Sequence, residues 1–253
     1  MLSTEAINTY HADGYVTPDF RLPLSTVEEI RDRHSKLLTK HPQFYNYCPS
    51  LLAYDRGFLE YARNPDILRM VEQLIGPDFA LWNASFFAKP ANGGHATPWH
   101  QDGEYWPIRP LATCTVWIAL DKATAENGCL QVIPGSHTSK RLRKHHTSQK
   151  ENLTLNQALD SSEYRLEDAE NITLEVGQIS LHDVYLVHGS NANHSTSSRR
   201  GMTLRFMPTS SVYDRKLAKE LGETKTLVDQ SQRTLYLMRG VDMSGQNDFS
   251  QRD

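Results

Sequence analysis

Pro98-Trp99-His100-Gln101-Asp102 is the stretch on which the fold and chemistry of this chain turn. On a β-strand, residues two apart point to the same face, so His100 and Asp102 can offer a nitrogen and an oxygen to one metal ion while Gln101 points the other way. Alone the pattern is weak, because 11 histidines in 253 residues make about one His-x-Asp by chance. A third candidate ligand strengthens it. His188 follows the apolar run Val184-Tyr185-Leu186-Val187, which reads as a strand, and opens the segment His188-Gly189-Ser190-Asn191-Ala192-Asn193. Neighbouring strands of a jelly roll can bring His188 against the His100/Asp102 pair. Two imidazoles and one carboxylate on one face leave coordination positions open, as in non-haem Fe(II) oxygenases. A structural zinc site instead closes with four ligands, commonly including cysteine, and Cys48, Cys114 and Cys129 fit no such pattern.

Working outward, a dicarboxylate cosubstrate would need a fixed cation. Arg199 opens Arg199-Arg200-Gly201-Met202-Thr203-Leu204, the next strand, and a guanidinium grips a carboxylate in a bidentate way that lysine does not match. Arg200 is the rival, but strand alternation turns only one of the two inward, and Arg199 is preferred. Phe79–Ala88, Thr113–Leu120, Leu130–Ile133, Ile172–Glu175, Gln178–His188 and Met202–Pro208 read as strands, rich in β-branched and aromatic residues and bounded by Gly, Pro, Asn or Asp. The polar stretch 138–169, with Lys140, Arg141, Arg143, Lys144, His145 and His146, reads as a solvated surface loop, the other reading being a loop that closes over an anionic substrate.

Ahead of the strands lie three helices. One follows Ser3 and stops at Asp13-Gly14. A second starts at a Ser25/Glu28 capping box and lays Val27, Ile30, His34, Leu37 and Leu38 on one face. A third spans 65–75 with Asn64 as cap and Gly76 as stop. The expected architecture is mainly β with flanking helices: one domain over 1–253, with a helical buttress over about 1–78, a jelly-roll core over about 79–210 and a helical C-terminal segment over about 211–253.

A formal charge of −3 gives no reason to expect nucleic acid or an anionic membrane as partner. No apolar run is long enough to span a bilayer, and the first residues lack the pattern of a secretion signal. Three widely spaced cysteines fit a reducing compartment, so a cytoplasmic protein is expected, with its oligomeric state open.

Trp99-His100-Gln101-Asp102, Trp117-Ile118-Ala119-Leu120-Asp121, Glu126-Asn127-Gly128-Cys129-Leu130, Pro134-Gly135-Ser136-His137, and His188-Gly189-Ser190 with Arg199 resemble the phytanoyl-CoA dioxygenase family. The resemblance covers roughly residues 5 to 210, and the order and spacing of five blocks make it specific. It implies a double-stranded β-helix, Fe(II), 2-oxoglutarate and O₂ as cosubstrates, and a hydroxylase reaction. By the same resemblance His100, Asp102 and His188 would be iron ligands, and Arg199 would bind the distal carboxylate of 2-oxoglutarate. Gln101, Trp117 and Ser190 match positions that lie around the cosubstrate in relatives. Related halogenases lack the carboxylate ligand, whereas this chain keeps Asp102, so hydroxylation is expected.

Glu104, Tyr105, Trp106 and Arg109 follow the metal motif and are expected at the pocket mouth, with Asn83, Asn191 and Asn193 within reach. Aromatic rings with Arg and Asn suit a small polar molecule better than a bare fatty chain; the plainer reading is that Tyr105 and Trp106 pack the rim. His182-Asp183 is a tempting second pair, but adjacent strand residues face opposite sides, so a structural role is expected. Two other functions remain open: a jelly-roll binding module without turnover, and a Zn²⁺ hydrolase using the same three ligands.

Overall fold

The aromatic and β-branched runs after residue 78 fold into two antiparallel sheets, in a computed structural model that describes residues 1–225 and 228–252. Eight strands form the core: Phe79–Lys89 (β1), Thr97–His100 (β2), Cys114–Ala119 (β3), Leu130–Val132 (β4), Glu170–Ile172 (β5), Ile179–Asp183 (β6), His188–Ser190 (β7) and Arg199–Pro208 (β8). The larger sheet runs Tyr15–Val16, β6, β3, β8, β1 and Tyr236–Arg239, with Tyr47–Cys48 also paired to β1. The smaller sheet runs β5, β4, β7, β2. Successive strands pass from one sheet to the other at nearly every step, which is the path of a jelly roll.

Side-chain alternation splits the larger sheet into two faces. One face carries Leu181, Val116, Leu204 and Ala84, with Ile118, Met202 and Phe86 on the next rung, and joins a single apolar cluster with the helices. The helices are Thr4–Asp13 (α1), Leu24–Lys40 (α2), Pro65–Ile75 (α3) and Arg215–Thr224 (α4). Ile67, Met70 and Val71 of α3 and Val27 and Ile30 of α2 are the knobs that enter this cluster. The other face looks toward the smaller sheet, and its rungs are mostly polar: His182, Thr115, Arg205 and Asn83 form one, and Ser180, Trp117, Thr203 and Ser85 the next. Polar side chains on the inner face of a sheet are costly unless they serve a site. That face is where the chemistry lies.

The helix ends follow local rules with one exception. The Ser3 side chain accepts from Ala6 N, Gly14 at φ 86° closes α1, and Asn64 accepts from both Asp66 N and Ile67 N at the start of α3. The Ser25/Glu28 capping box does not form. Helix α2 begins two residues earlier, after Pro23, so Ser25 already lies inside the first turn and Glu28 pairs with Arg31 instead.

Four strand expectations need correction. Gln178–His188 is two strands, because the Asp183 carboxylate accepts from Tyr185 N and turns the chain at Val184-Tyr185 toward the smaller sheet. The run leading to His188 is therefore a turn. Ile172–Glu175 moves back to β5, since Val176-Gly177 opens a turn in which Glu175 N donates to the Gln178 side chain. In the C-terminal segment expected to be helical, α4 is the one helix among the described residues, and Tyr236–Arg239 adds a strand to the edge of β1. The 138–169 stretch is more than a solvated loop: His145–Thr147 pairs with Gln157–Leu159, and the tip between them reaches the interior.

Asp121 fastens α2 to the end of the larger sheet. It accepts from Arg200 through backbone N, Nε and Nη2, from Ser198 Oγ, and from Arg31 Nη2 at 3.1 Å. Burial alone would raise its carboxyl, but Arg200 above all holds it below the ordinary carboxylate range. Asp121→Ala strips Arg200 of its acid, leaves Arg31 only the exposed Glu28, and is expected to cost on the order of 2–3 kcal/mol in urea denaturation. A loss within ~0.5 kcal/mol would show that solvent replaces the carboxylate. No helix among the described residues is long and apolar enough to cross a membrane.

Candidate active site

Strand β7 lies between β4 and β2, and the β7–β2 register sets His188 directly opposite His100. Their rings stand 4.2 Å apart between centroids. β2 stops at His100, so Asp102 does not share its strand; it opens a short 3₁₀ turn over Asp102–Glu104 that swings the carboxylate back beside the ring. The expectation from strand alternation thus names the right neighbours through a different local geometry. Asp102 Oδ1 lies 3.5 Å from His100 Nε2 and 3.9 Å from His188 Nε2.

The second nitrogen of each ring is committed. His100 Nδ1 lies 2.8 Å from Pro98 O and His188 Nδ1 2.9 Å from Leu186 O, both donating to a carbonyl two residues back. These bonds fix the tautomer and aim both Nε2 lone pairs at the same point, as metal-bound histidines require. Donor atoms of the three residues all lie within 4.8 Å of one another, and all three residues are buried. Burial, and then the nearby His100, hold the His188 imidazole well below its ordinary pKa, which keeps it an unprotonated donor. Burial acts to raise the Asp102 carboxyl, but the His100 and His182 imidazoles hold it well below the carboxylate range. The donor set and its aim fit a divalent ion with open positions.

Arg199 enters the same pocket from β8. Its side chain is 2% exposed and donates to Gly128 O from Nε at 2.9 Å and to Phe87 O from Nη1 at 3.2 Å. Ser190 Oγ lies 3.4 Å from Nη2. No carboxylate stands within ion-pair distance of it among the described residues, although burial lowers its pKa only to about 10 and leaves it cationic. Trp117 covers it, the guanidinium carbon lying 5.4 Å from the ring centroid. A Cβ on Gly201 would fall 2.0 Å from that indole, so glycine is what lets Trp117 lie flat here. Arg200 turns the other way, to Asp121.

Several residues expected at the site lie elsewhere. Gln101 is a bracket behind it: its amide donates to Arg141 O and Tyr185 O, and Arg143 N donates to its oxygen. It does not line the pocket that holds Trp117, Ser190 and Arg199. Arg109 is exposed and donates back to the carbonyls of Trp106 and Ile108. Asn191 is exposed as well. Asn193 is buried but spends its amide on the carbonyls of Lys89, Pro90 and Ser197, holding the β7–β8 loop. Glu104 pairs with Lys225 instead of opening into the cavity.

Asn83, Tyr105 and Trp106 do line a cavity of about 340 Å³ beside the triad. Tyr105 also serves the wall, its hydroxyl donating to Gln157 O and accepting from Gln157 N. Phe87, Asp102 and Arg205 border both this cavity and the metal-side pocket, so the two communicate at the Asp102 carboxylate. Arg205 carried no expectation, and His182 was expected to be structural. His182 Nε2 lies 3.6 Å from Asp102 Oδ2, delivered by the β6–β3 register. Arg205 follows from Arg199 by alternation along one strand, a signal that the residues themselves carried.

Residues 10–201 match the phytanoyl-CoA dioxygenase family. The chain belongs to that family. It is 28% identical over 233 residues to the human peroxisomal phytanoyl-CoA dioxygenase, covering 81% of this chain and 68% of that one. With a probable alpha-ketoglutarate-dependent hypophosphite dioxygenase of Stutzerimonas stutzeri it shares 30% identity over 150 residues, 57% of this chain and 50% of the other. Other phytanoyl-CoA dioxygenases are matched over about half their length, 52% and 46%. In fold, it is similar to the non-heme alpha ketoglutarate-dependent carbocyclase SnoK from nogalamycin biosynthesis, with a TM-score of 0.70 at 23% identity over 84% of this chain and 86% of that one. Family membership places the chain among non-haem iron oxygenases that use 2-oxoglutarate, and Fe(II) and 2-oxoglutarate are the metal and cosubstrate that the triad and Arg199 fit.

Proposed function

We propose that this protein hydroxylates an unactivated C–H bond of a small polar molecule, consuming 2-oxoglutarate and O₂ and releasing succinate and CO₂. The substrate is an amino acid, an osmolyte, an aminoalkylphosphonate or a natural-product intermediate. The observation that carries the reading is a buried His100/Asp102/His188 cluster in one pocket with Arg199, a cation that has no acid partner among the described residues. A zinc hydrolase gives Arg199 no task, and a pure binding module needs none of the four together.

In this reading His100 and His188 hold the metal through Nε2 and Asp102 through one oxygen. The metal with 2-oxoglutarate supplies the oxidising chemistry when bound. Arg199 takes the distal carboxylate, Ser190 Oγ accepts from its Nη2, and Trp117 shields that end from water. The 340 Å³ cavity has the size of a small-molecule site, and Phe87, Tyr105 and Trp106 give it aromatic walls. We assign all of 1–253 to one catalytic domain. The three cysteines are free and buried, in keeping with the reducing cytoplasm.

The test is spectroscopic. Fe(II) and then 2-oxoglutarate are added to metal-free protein without oxygen, and a weak visible charge-transfer band is expected only when both are present. A well-folded protein that gives no band would return the question to the binding module and the zinc hydrolase. O₂-dependent succinate formation then separates turnover from chelation.

A further inference from the structure

We propose that the substrate carries a carboxylate or phosphoryl anion and that Arg205 is the group that holds that anion. The proposal rests on the reading above for the cavity being the substrate site. Arg205 follows Arg199 on β8 by six residues and shares its inward row. It is 4% exposed, and Nη1 donates to Ser85 Oγ at 2.6 Å. Nε has no hydrogen-bond partner, and no carboxylate lies within ion-pair distance of the side chain among the described residues. The guanidinium carbon sits 5.1 Å from the Trp106 ring centroid and 5.7 Å from that of Phe87.

Burying a charge without a counter-charge is unfavourable, and aromatic faces offset only part of that cost. The residual cost is relieved by a ligand that completes the fork. An oxyanion does so with two charge-assisted hydrogen bonds, which a neutral amide or an amine does not.

The lining of the cavity has the same sign. Lys150, Arg205 and Arg233 are its cations, and Asp102 is its one acid among the described residues. Asp102 is committed to the triad. In the reading above a divalent ion would answer Asp102 and the far end of a dicarboxylate would answer Arg199. Arg205 remains, its Nε buried and without a hydrogen-bond partner among the described residues. Arg233 reaches in from the C-terminal segment, with Nη2 donating to Ser50 Oγ at 2.8 Å and its plane over Trp82. Asn83 and Gln230 add amide groups to the same wall. An occupant anchored by its anion at Arg205 lays its carbon skeleton along Phe87, Tyr105 and Trp106 and points a C–H bond toward Asp102, where the cavity meets the metal-side pocket.

The experiment uses metal-free full-length protein, so it stands whether or not the charge-transfer band forms. 3-Aminopropylphosphonate, 4-aminobutyrate and the neutral-headed 4-aminobutyramide are titrated while tryptophan fluorescence is followed, Trp106 lying against Arg205. Both acids are expected to bind at concentrations at least tenfold below the amide, and the tighter of the two tells phosphoryl from carboxylate. Arg205→Gln should erase the preference and Arg199→Gln should leave it. Binding of acid and amide at equal concentration, no binding of either acid at millimolar concentration, or a preference that survives Arg205→Gln and disappears in Arg199→Gln would each overturn the proposal. Should Arg205→Gln not fold, Arg205→Lys decides. It keeps the charge and loses the fork, so acid binding should weaken several-fold, and unchanged binding counts against a bidentate grip.

Discussion

Replacement of His188 by alanine is expected to abolish the Fe(II)–2-oxoglutarate band and to lower succinate formation by more than ~100-fold. The basis is the economy of the cluster: three protein donors would serve one ion, and their Nε2 and Oδ1 atoms have no other strong partners among the described residues. Losing a group that merely orients a ligand costs about 10–100-fold in metal-dependent function, and losing the ligand itself exceeds that. The fold should survive, because among the described residues the ring's one protein hydrogen bond is to Leu186 O, two residues ahead of β7. Circular dichroism superimposable on the wild type, with no band, is the expected pair of results. A band of normal intensity in this variant would remove His188 from the metal and leave His182, the other imidazole at Asp102, to be tested in its place.

The second large effect is on cosubstrate affinity. Arg199→Gln should raise the 2-oxoglutarate concentration needed for half-maximal band intensity by roughly 10–100-fold, the equivalent of one or two charge-assisted hydrogen bonds. The intensity at saturation should return to that of the wild type, since the metal end of the molecule is untouched. Lysine should rescue only in part, because Trp117 and the Gly128 and Phe87 carbonyls hold a planar fork and not a point charge. An unchanged titration would assign the dicarboxylate to another cation. Lys89 is a poor substitute, with its ammonium bonded to the carbonyls of His95 and Asn191.

Much of this could be read from the residues because period-two alternation is local. It turned Arg199 inward and Arg200 outward, and the equally local cap and stop signals at Asn64 and Gly76 bounded helix α3. Where it failed, a turn intervened. Asp102 lies two residues past the last paired position, in the turn that follows the strand, and the Asp183 side chain ends β6 before the apolar run that looked like its continuation. Arg109, Asn191 and Asn193 were candidates by chemistry and proximity in sequence. Each lies in a turn or at a strand end, and the side chains of Arg109 and Asn193 serve nearby carbonyls. The closeness of His182 to Asp102 was illegible for the opposite reason: it depends on the pairing of β6 with β3, a contact between segments far apart in the chain.

The two walls of the substrate cavity differ in how they tolerate change in length. Arg199, Thr203 and Arg205 stand in one row of a ten-residue strand paired on both sides. A single insertion there would turn one of the arginines into the apolar cluster beneath the helices, so divergence along this strand is confined to substitution. The opposite wall is a hairpin tip, Lys150 to Asn156, held at its base by the His145–Thr147 and Gln157–Leu159 pair. Residues can be gained or lost at that tip without moving a metal donor. Relatives of this chain should therefore vary in length at the tip and keep constant spacing between the two cations, giving new substrates over an unchanged oxidising centre.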